Sequence, residues 1–164
     1  MLIGAPHTSN WDFVFILAIC WRHGFAPLYL GKHTLFKKPF GPIMRAFGGI
    51  PVDRAHPGRL VDDVVARLRT GKRVLVVTPE GTRSLGKVWK SGFYRIASDA
   101  GLPVVLGYVD SATHTAGLGP TIMLTGDVVA DMDLVREFYA DKRGIHPELF
   151  TPPMLREESR PAIG

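Results

Sequence analysis

Short apolar runs alternate with amphipathic stretches along the chain, and most runs end at a turn-forming residue. Residues 2–5 form such a run, closed by Pro6, and predict a strand. Thr8, Ser9 and Asn10 then offer helix-capping side chains ahead of residues 11–23, which are apolar on nearly all sides until Gly24. That pattern predicts a buried helix. Residues 27–30 predict a second strand, 42–47 a short helix, and Ile50-Pro51-Val52 a short strand whose proline suits a sheet edge. Over residues 59–69, Leu60, Val61, Val64, Val65 and Leu68 recur at helical spacing, with Gly71 as the stop. The Val/Leu-rich run 73–77 predicts a strand buried on both faces and opens into a loop over 78–84. A helix over 91–100, strands over 104–109 and 121–124, and a helix over 131–141 complete the pattern.

Strands alternating with helices at these lengths predict an α/β fold: a single-domain layered sandwich, its sheet largely parallel or mixed and flanked by helices. The expected domain covers residues 1–145, with a Pro-containing C-terminal tail over 146–164.

Composition agrees with one core, since 46% hydrophobic and 21% charged residues in a chain of 164 exclude a disordered polypeptide. The apolar run 13–21 is far shorter than the ~20 residues that span a bilayer, so no transmembrane helix is expected. The first five residues lack the basic leader of a signal peptide. Cys20 stands alone, which excludes an intrachain disulfide or a Cys-rich zinc site and suits a reducing compartment. The expected location is the cytoplasm, peripheral at a membrane. A net charge of +5 favours an anionic partner: phosphate, nucleic acid or a lipid headgroup surface. The basic residues are dispersed through glycine-rich turns with no aromatic platform between them, which argues against nucleic acid.

Three segments carry candidate chemistry. His7 and Asp12 form an HxxxxD pattern where a strand ends and a helix begins. An imidazole oriented by a carboxylate has a fixed tautomer and a stabilised cation, as a general base acting on a hydroxyl requires. The plainer reading gives Asp12 to the helix dipole. In the second segment, residues 48–54, a glycine pair precedes a short strand that releases Asp53 and Arg54. The Arg54 guanidinium suits phosphate oxygens, and Lys32 or Arg45 could add charge. The third, Thr78-Pro79-Glu80-Gly81-Thr82-Arg83-Ser84, follows the most apolar strand. There Gly81 permits close backbone approach, Thr82 offers a donor and Arg83 a second anion anchor. Lys90-Ser91-Gly92 adds backbone amides at a helix start.

In this order and spacing the segments resemble the glycerolipid acyltransferase family, which includes the lysophosphatidic acid (1-acylglycerol-3-phosphate) acyltransferases. His7 to Asp12, with Ser9, is similar to its HxSxxD block, and Gly48 to Arg54 to its glycine-to-Asp-Arg block. Pro79 to Ser84 matches its third block residue for residue, and Leu102-Pro103-Val104-Val105 resembles its fourth. Pro6, Thr78 and Leu106 depart from the usual residues. The resemblance implies transfer of a fatty acyl group from acyl-CoA or acyl-acyl carrier protein to a hydroxyl of a lysophosphatidic acid-like or other lysolipid. His7 would be the base and Asp12 its stabilising carboxylate. Arg54 and Arg83, with Lys32, would hold the acceptor phosphate, and Glu80, Gly81 and Thr82 would shape the pocket. The thioester is a substrate, so neither cofactor nor metal is expected, and the remaining partner would be an anionic membrane surface. Family members commonly carry a helical membrane-contacting segment upstream of the His block, so docking here is expected to use other surfaces. Two other classes share these residues: a His-Asp hydrolase acting with water, and a non-catalytic phosphate- or lipid-binding protein.

Overall fold

A computed structural model of the chain describes residues 1–52, 64, 66–68, 73–81 and 84–159. Six strands form one sheet: β1 (Leu2–Ala5), β2 (Ala26–Lys32), β3 (Gly49–Val52), β4 (Arg73–Val77), β5 (Val104–Asp110) and β6 (Thr115–Ile122). Their spatial order is β3-β2-β4-β1-β5-β6. The first five run parallel, and β6 returns antiparallel to β5. The α/β expectation therefore holds, and Pro51 sits on the edge strand β3, where a missing N–H costs least.

Strand alternation sends side chains to two separate cores. On one face Leu28, Leu75, Val104 and Leu106 meet helices α3 (Gly92–Asp99) and α4 (Val128–Tyr139) through Phe93, Ile96, Met132, Val135 and Tyr139. On the other face Leu2, Tyr29, Val76 and Val109 meet Ile16, Leu17 and Cys20 of helix α1 (Asn10–Arg22). Helix α2 (Gly41–Ala46) joins α1 on that face, where Met44 accepts a hydrogen bond from the Tyr29 hydroxyl through its carbonyl.

Three expectations are corrected. Helix α1 is not buried all round: Trp11, Val14, Phe15 and Trp21 are exposed along its outer side, because the layer ends with this helix. The strand expected over 121–124 is instead β6, Thr115–Ile122. Its glycines hide the alternation, for reasons of packing. A Cβ on Gly119 would stand 2.2 Å from the Phe138 ring, and one on Gly117 would stand 3.2 Å from Tyr108. The helix expected over 131–141 starts earlier, at Val128, because Asp127 caps it by accepting from the amides of Val129 and Ala130. Val64, Ala66, Arg67 and Leu68 are helical as expected, with Val64 fully buried; the rest of that predicted helix lies outside the described residues.

The C-terminal segment lies against the α3–α4 face. Trp89 donates its indole N–H to the Thr151 carbonyl at 2.8 Å and its amide to the Met154 carbonyl, and Leu155 is buried in the main core.

Candidate active site

Because β1 to β5 are parallel, their C-terminal ends share one edge of the sheet, and the sequence motifs leave from that edge. β1 leads to His7, β4 to Glu80 and Gly81, β2 ends at Lys32, and β3 ends at Val52, which pairs with Lys32. Strands β1 and β4 are neighbours, yet the chain leaves β1 towards β2 on one side and leaves β4 towards β5 on the other. Helices α1 and α3 accordingly lie on opposite faces, and the loops after β1 and β4 cross at this edge, each passing to its own face.

The β1–α1 turn is built around Asp12. Its Oδ2 accepts from the amides of Thr8 at 2.7 Å and Ser9 at 2.6 Å and from the Thr8 hydroxyl at 3.2 Å. Ser9 is the N-cap, so Ser9 and Asp12 form a reciprocal capping pair. Asp12 is only 1% exposed, and its Oδ1 has no hydrogen bond. His7 and Asp12 thus share one turn without a hydrogen bond between them, and the helix-capping role of Asp12 is present in full.

Glu80 joins the two loops. Its Oε1 accepts from the backbone N–H of His7 at 3.1 Å, tying the loops that follow β4 and β1. The side chain is 2% exposed, and Oε2 is buried without a hydrogen bond. Burial pushes its carboxyl up to about 7; the His7 N–H opposes that rise and the negative charge of Asp12 adds to it. Two carboxylates therefore sit close enough to feel each other where the loops cross, one held by three donors and the other by one.

Gly81 has φ +67, and its N–H closes a turn onto the Thr78 carbonyl at 3.0 Å. A Cβ there would lie 3.1 Å from Lys90 Cγ, so Gly81 is what lets the Lys90 chain cross the turn. Lys90 is fixed by its amide on the Pro79 carbonyl at 2.7 Å. Lys32 is at the site edge by its backbone, whereas Arg45 sits on α2 and lines a cleft with the opening residues of β2 and β3, at the opposite edge of the sheet. Arg54, Thr82 and Arg83 lie outside the described residues.

Two contributors carry no motif. Thr8 occupies a free position of HxxxxD, yet its hydroxyl also accepts from the His146 amide at 3.0 Å, bringing the C-terminal segment to the turn. A Cβ on Gly144 would stand 2.6 Å from that hydroxyl, so a glycine permits the approach. Tyr139, fully buried, donates to the Gly107 carbonyl at 2.8 Å, and burial with the charge of Glu80 raises its phenol well above the usual value. Only a glycine, a threonine and a helix tyrosine mark these contacts in the sequence.

Cys20 is 2% exposed in the α1 core, and burial pushes its thiol up to about 11, which masks it as a nucleophile.

No curated protein matches the chain. The family model described as Acyltransferase matches residues 1–106, a span that holds β1 to β4, the first three residues of β5, and every motif-bearing loop at this sheet edge. On that match, and on the order of its motifs around one sheet edge, the chain belongs to the acyltransferase family.

Proposed function

We propose that the protein moves a fatty acyl group from an acyl thioester, acyl-CoA or acyl-acyl carrier protein, to the hydroxyl of a lysolipid of the lysophosphatidic acid kind. The observation that carries this reading is the His7–Glu80 link, which joins two of the motif loops where they leave β1 and β4. In this mechanism the His7 imidazole takes the acceptor's hydroxyl proton as the oxygen attacks the thioester carbonyl. Collapse of the tetrahedral intermediate breaks the carbon–sulfur bond, and the imidazolium returns the proton to the leaving thiolate. Asp12 stabilises that imidazolium, and its unbonded Oδ1 is the acceptor available for the task once substrate orders the turn. Catalytic hydrogen bonds commonly tighten only in the substrate complex. Arg54 and Arg83, with Lys32, hold the acceptor phosphate, and Glu80, Gly81 and Thr82 form the wall between acceptor and donor.

The test is consumption of radiolabelled acyl-CoA on a panel of lysolipids, with His7→Ala beside the wild type. A general base contributes about 10²–10⁴-fold, so the variant should lose that much turnover with an unchanged circular dichroism spectrum. Near wild-type transfer by a folded His7→Ala protein would remove His7 from the chemistry. Release of free fatty acid at the same rate with and without acceptor would make the protein a hydrolase.

A further inference from the structure

Between Asp12 and Asp53 the chain carries five Lys or Arg and no Asp or Glu. The remainder has fifteen residues of each sign, so the whole excess of +5 resides in this one segment. It is also the segment that exposes apolar side chains. Of fifteen exposed large hydrophobic residues among the described ones, nine fall between Trp11 and Phe47. On α1 the residues 11, 14, 15, 18 and 21 share one side of the helix, opposite Ile16, Leu17 and Cys20 in the core. Helix α2 extends this surface with Ile43, flanked by Phe40 and Phe47, and the Trp21 and Phe47 rings meet at 6.0 Å between centroids.

The two helices end above a cleft of about 900 Å³ at the N-terminal edge of the sheet, the edge away from His7. Trp21, Phe25 and Phe47 form apolar walls, Arg45, Arg67 and Arg73 stand around it, and no acidic residue lines it among those described. Neither Arg45 nor Arg73 pairs with a carboxylate among the described residues; Arg45 lies over the Phe36 ring, 5.4 Å from its centroid.

We infer that the α1–α2 layer docks on an anionic phospholipid bilayer and that the arginine cleft takes the headgroup of an anionic lipid, at a site separate from the loops that carry His7 and Glu80. An apolar helix face with tryptophans at both ends and cations beside it is built to lie in the plane of a membrane interface. A second copy of the chain fits poorly, because a two-fold contact through this face would oppose cations to cations with no acidic complement among the described residues. These residues take no part in the chemistry assigned to His7, so the inference stands apart from that reading.

The chain supplies its own probes. Trp11 is 64% exposed and Trp21 51%, at the two ends of the α1 face, while Trp89, the third tryptophan, is 1% exposed. Vesicles of phosphatidylglycerol or phosphatidylcholine, each also prepared with brominated chains, are mixed with the protein at low and high salt without any thioester. Phosphatidylglycerol vesicles should bind, more weakly as salt rises, and should quench the exposed tryptophan both in Trp11→Phe, which keeps Trp21, and in Trp21→Phe, which keeps Trp11. Each basic residue at an anionic surface contributes about fivefold, so the double variant Arg45→Ala, Arg73→Ala should bind about 30-fold more weakly. Its transfer to a monomeric short-chain lysolipid should stay at the wild-type rate, which separates failure of docking from failure of the chemistry. Four results would overturn the inference: no binding at low salt, equal binding to both lipids, an unquenched Trp21 on bound protein, or unaltered affinity in the double arginine variant. A dimer in sedimentation equilibrium that shields both tryptophans from quencher would assign the face to a second copy instead.

Discussion

Replacing Glu80 by Gln isolates the electrostatic cost of burying its carboxyl near Asp12. The carboxyl ionises near 4.5 in the unfolded chain and near 7 in the folded one, because folding buries it beside Asp12 with one amide donor. The raised value fixes the sign: this group's contribution to stability is fully present below 4.5, falls as pH climbs towards about 7, and is flat above. The displacement from 4.5 to about 7 is worth about 3 kcal/mol. Gln keeps an oxygen for the His7 N–H and cannot ionise. Its NH₂ would occupy the place of the unbonded Oε2, a pH-independent cost of about 1–3 kcal/mol. That cost cancels when each protein is compared with itself, as do contributions from ionisable groups common to both. Urea unfolding at about pH 5 and about pH 8.5 gives the two stabilities for each protein. The wild type should lose about 2.5 kcal/mol more than Glu80→Gln over that interval, since at pH 5 part of the contribution is already gone. Equal losses in the two proteins, within about 0.5 kcal/mol, would falsify the assignment of Glu80 as a buried carboxylate facing Asp12.

Cys20→Ala should retain transfer activity and cost about 1–2 kcal/mol of stability in denaturant titration, and enzyme mixed with acyl-CoA alone should show no acyl adduct by mass spectrometry. A stoichiometric adduct that passes to acceptor would replace direct attack with a covalent route. Gly81→Ala must place a Cβ on a left-handed residue beside Lys90, and should lower the urea midpoint by the equivalent of about 1–2 kcal/mol. An unchanged midpoint would mean that the turn relaxes freely. Arg54→Ala and Arg83→Ala should each raise the KM for a phosphate-bearing lysolipid, leave the KM for acyl-CoA alone, and be partly rescued by Lys. Equal effects on an acceptor without phosphate would end their role as phosphate anchors.

The parallel strands were legible because each is a short apolar run of β-branched and leucine residues bounded by turn formers, as β4 and β5 show. Two elements were not. The outer face of α1 is as apolar as its inner face, so hydrophobic periodicity could not separate the buried Ile16 and Leu17 from the exposed Trp11 and Val14. In β6 the pattern is erased by glycines that make room for Phe138 and Tyr108, a requirement imposed by elements distant in the chain. The site divides in the same way. His7, Asp12, Glu80 and Gly81 are local motifs, visible as residue types at strand ends. The contacts of Thr8 with His146 and of Glu80 with the His7 amide arise only from topology, which sequence spacing does not encode.

The place of β1 in the sheet has a consequence for the order in which the molecule is made. The earliest in the chain of the six described strands is an interior strand, held between β4, at Leu2–Val76 and Ile3–Val77, and β5, along all four of its residues. Neither partner exists until long after β1 has left the ribosome, and contacts between such distant segments form slowly. The neighbouring strands β2 and β3 can pair early, because only α2 and its flanking turns separate them. His7 waits for Glu80, 73 residues later, and the strand that carries His7 gains its second edge only with β5. A nascent chain that stops short of β5 can thus hold nearly every motif of the family while the strand that carries His7 still lacks one of its two neighbours.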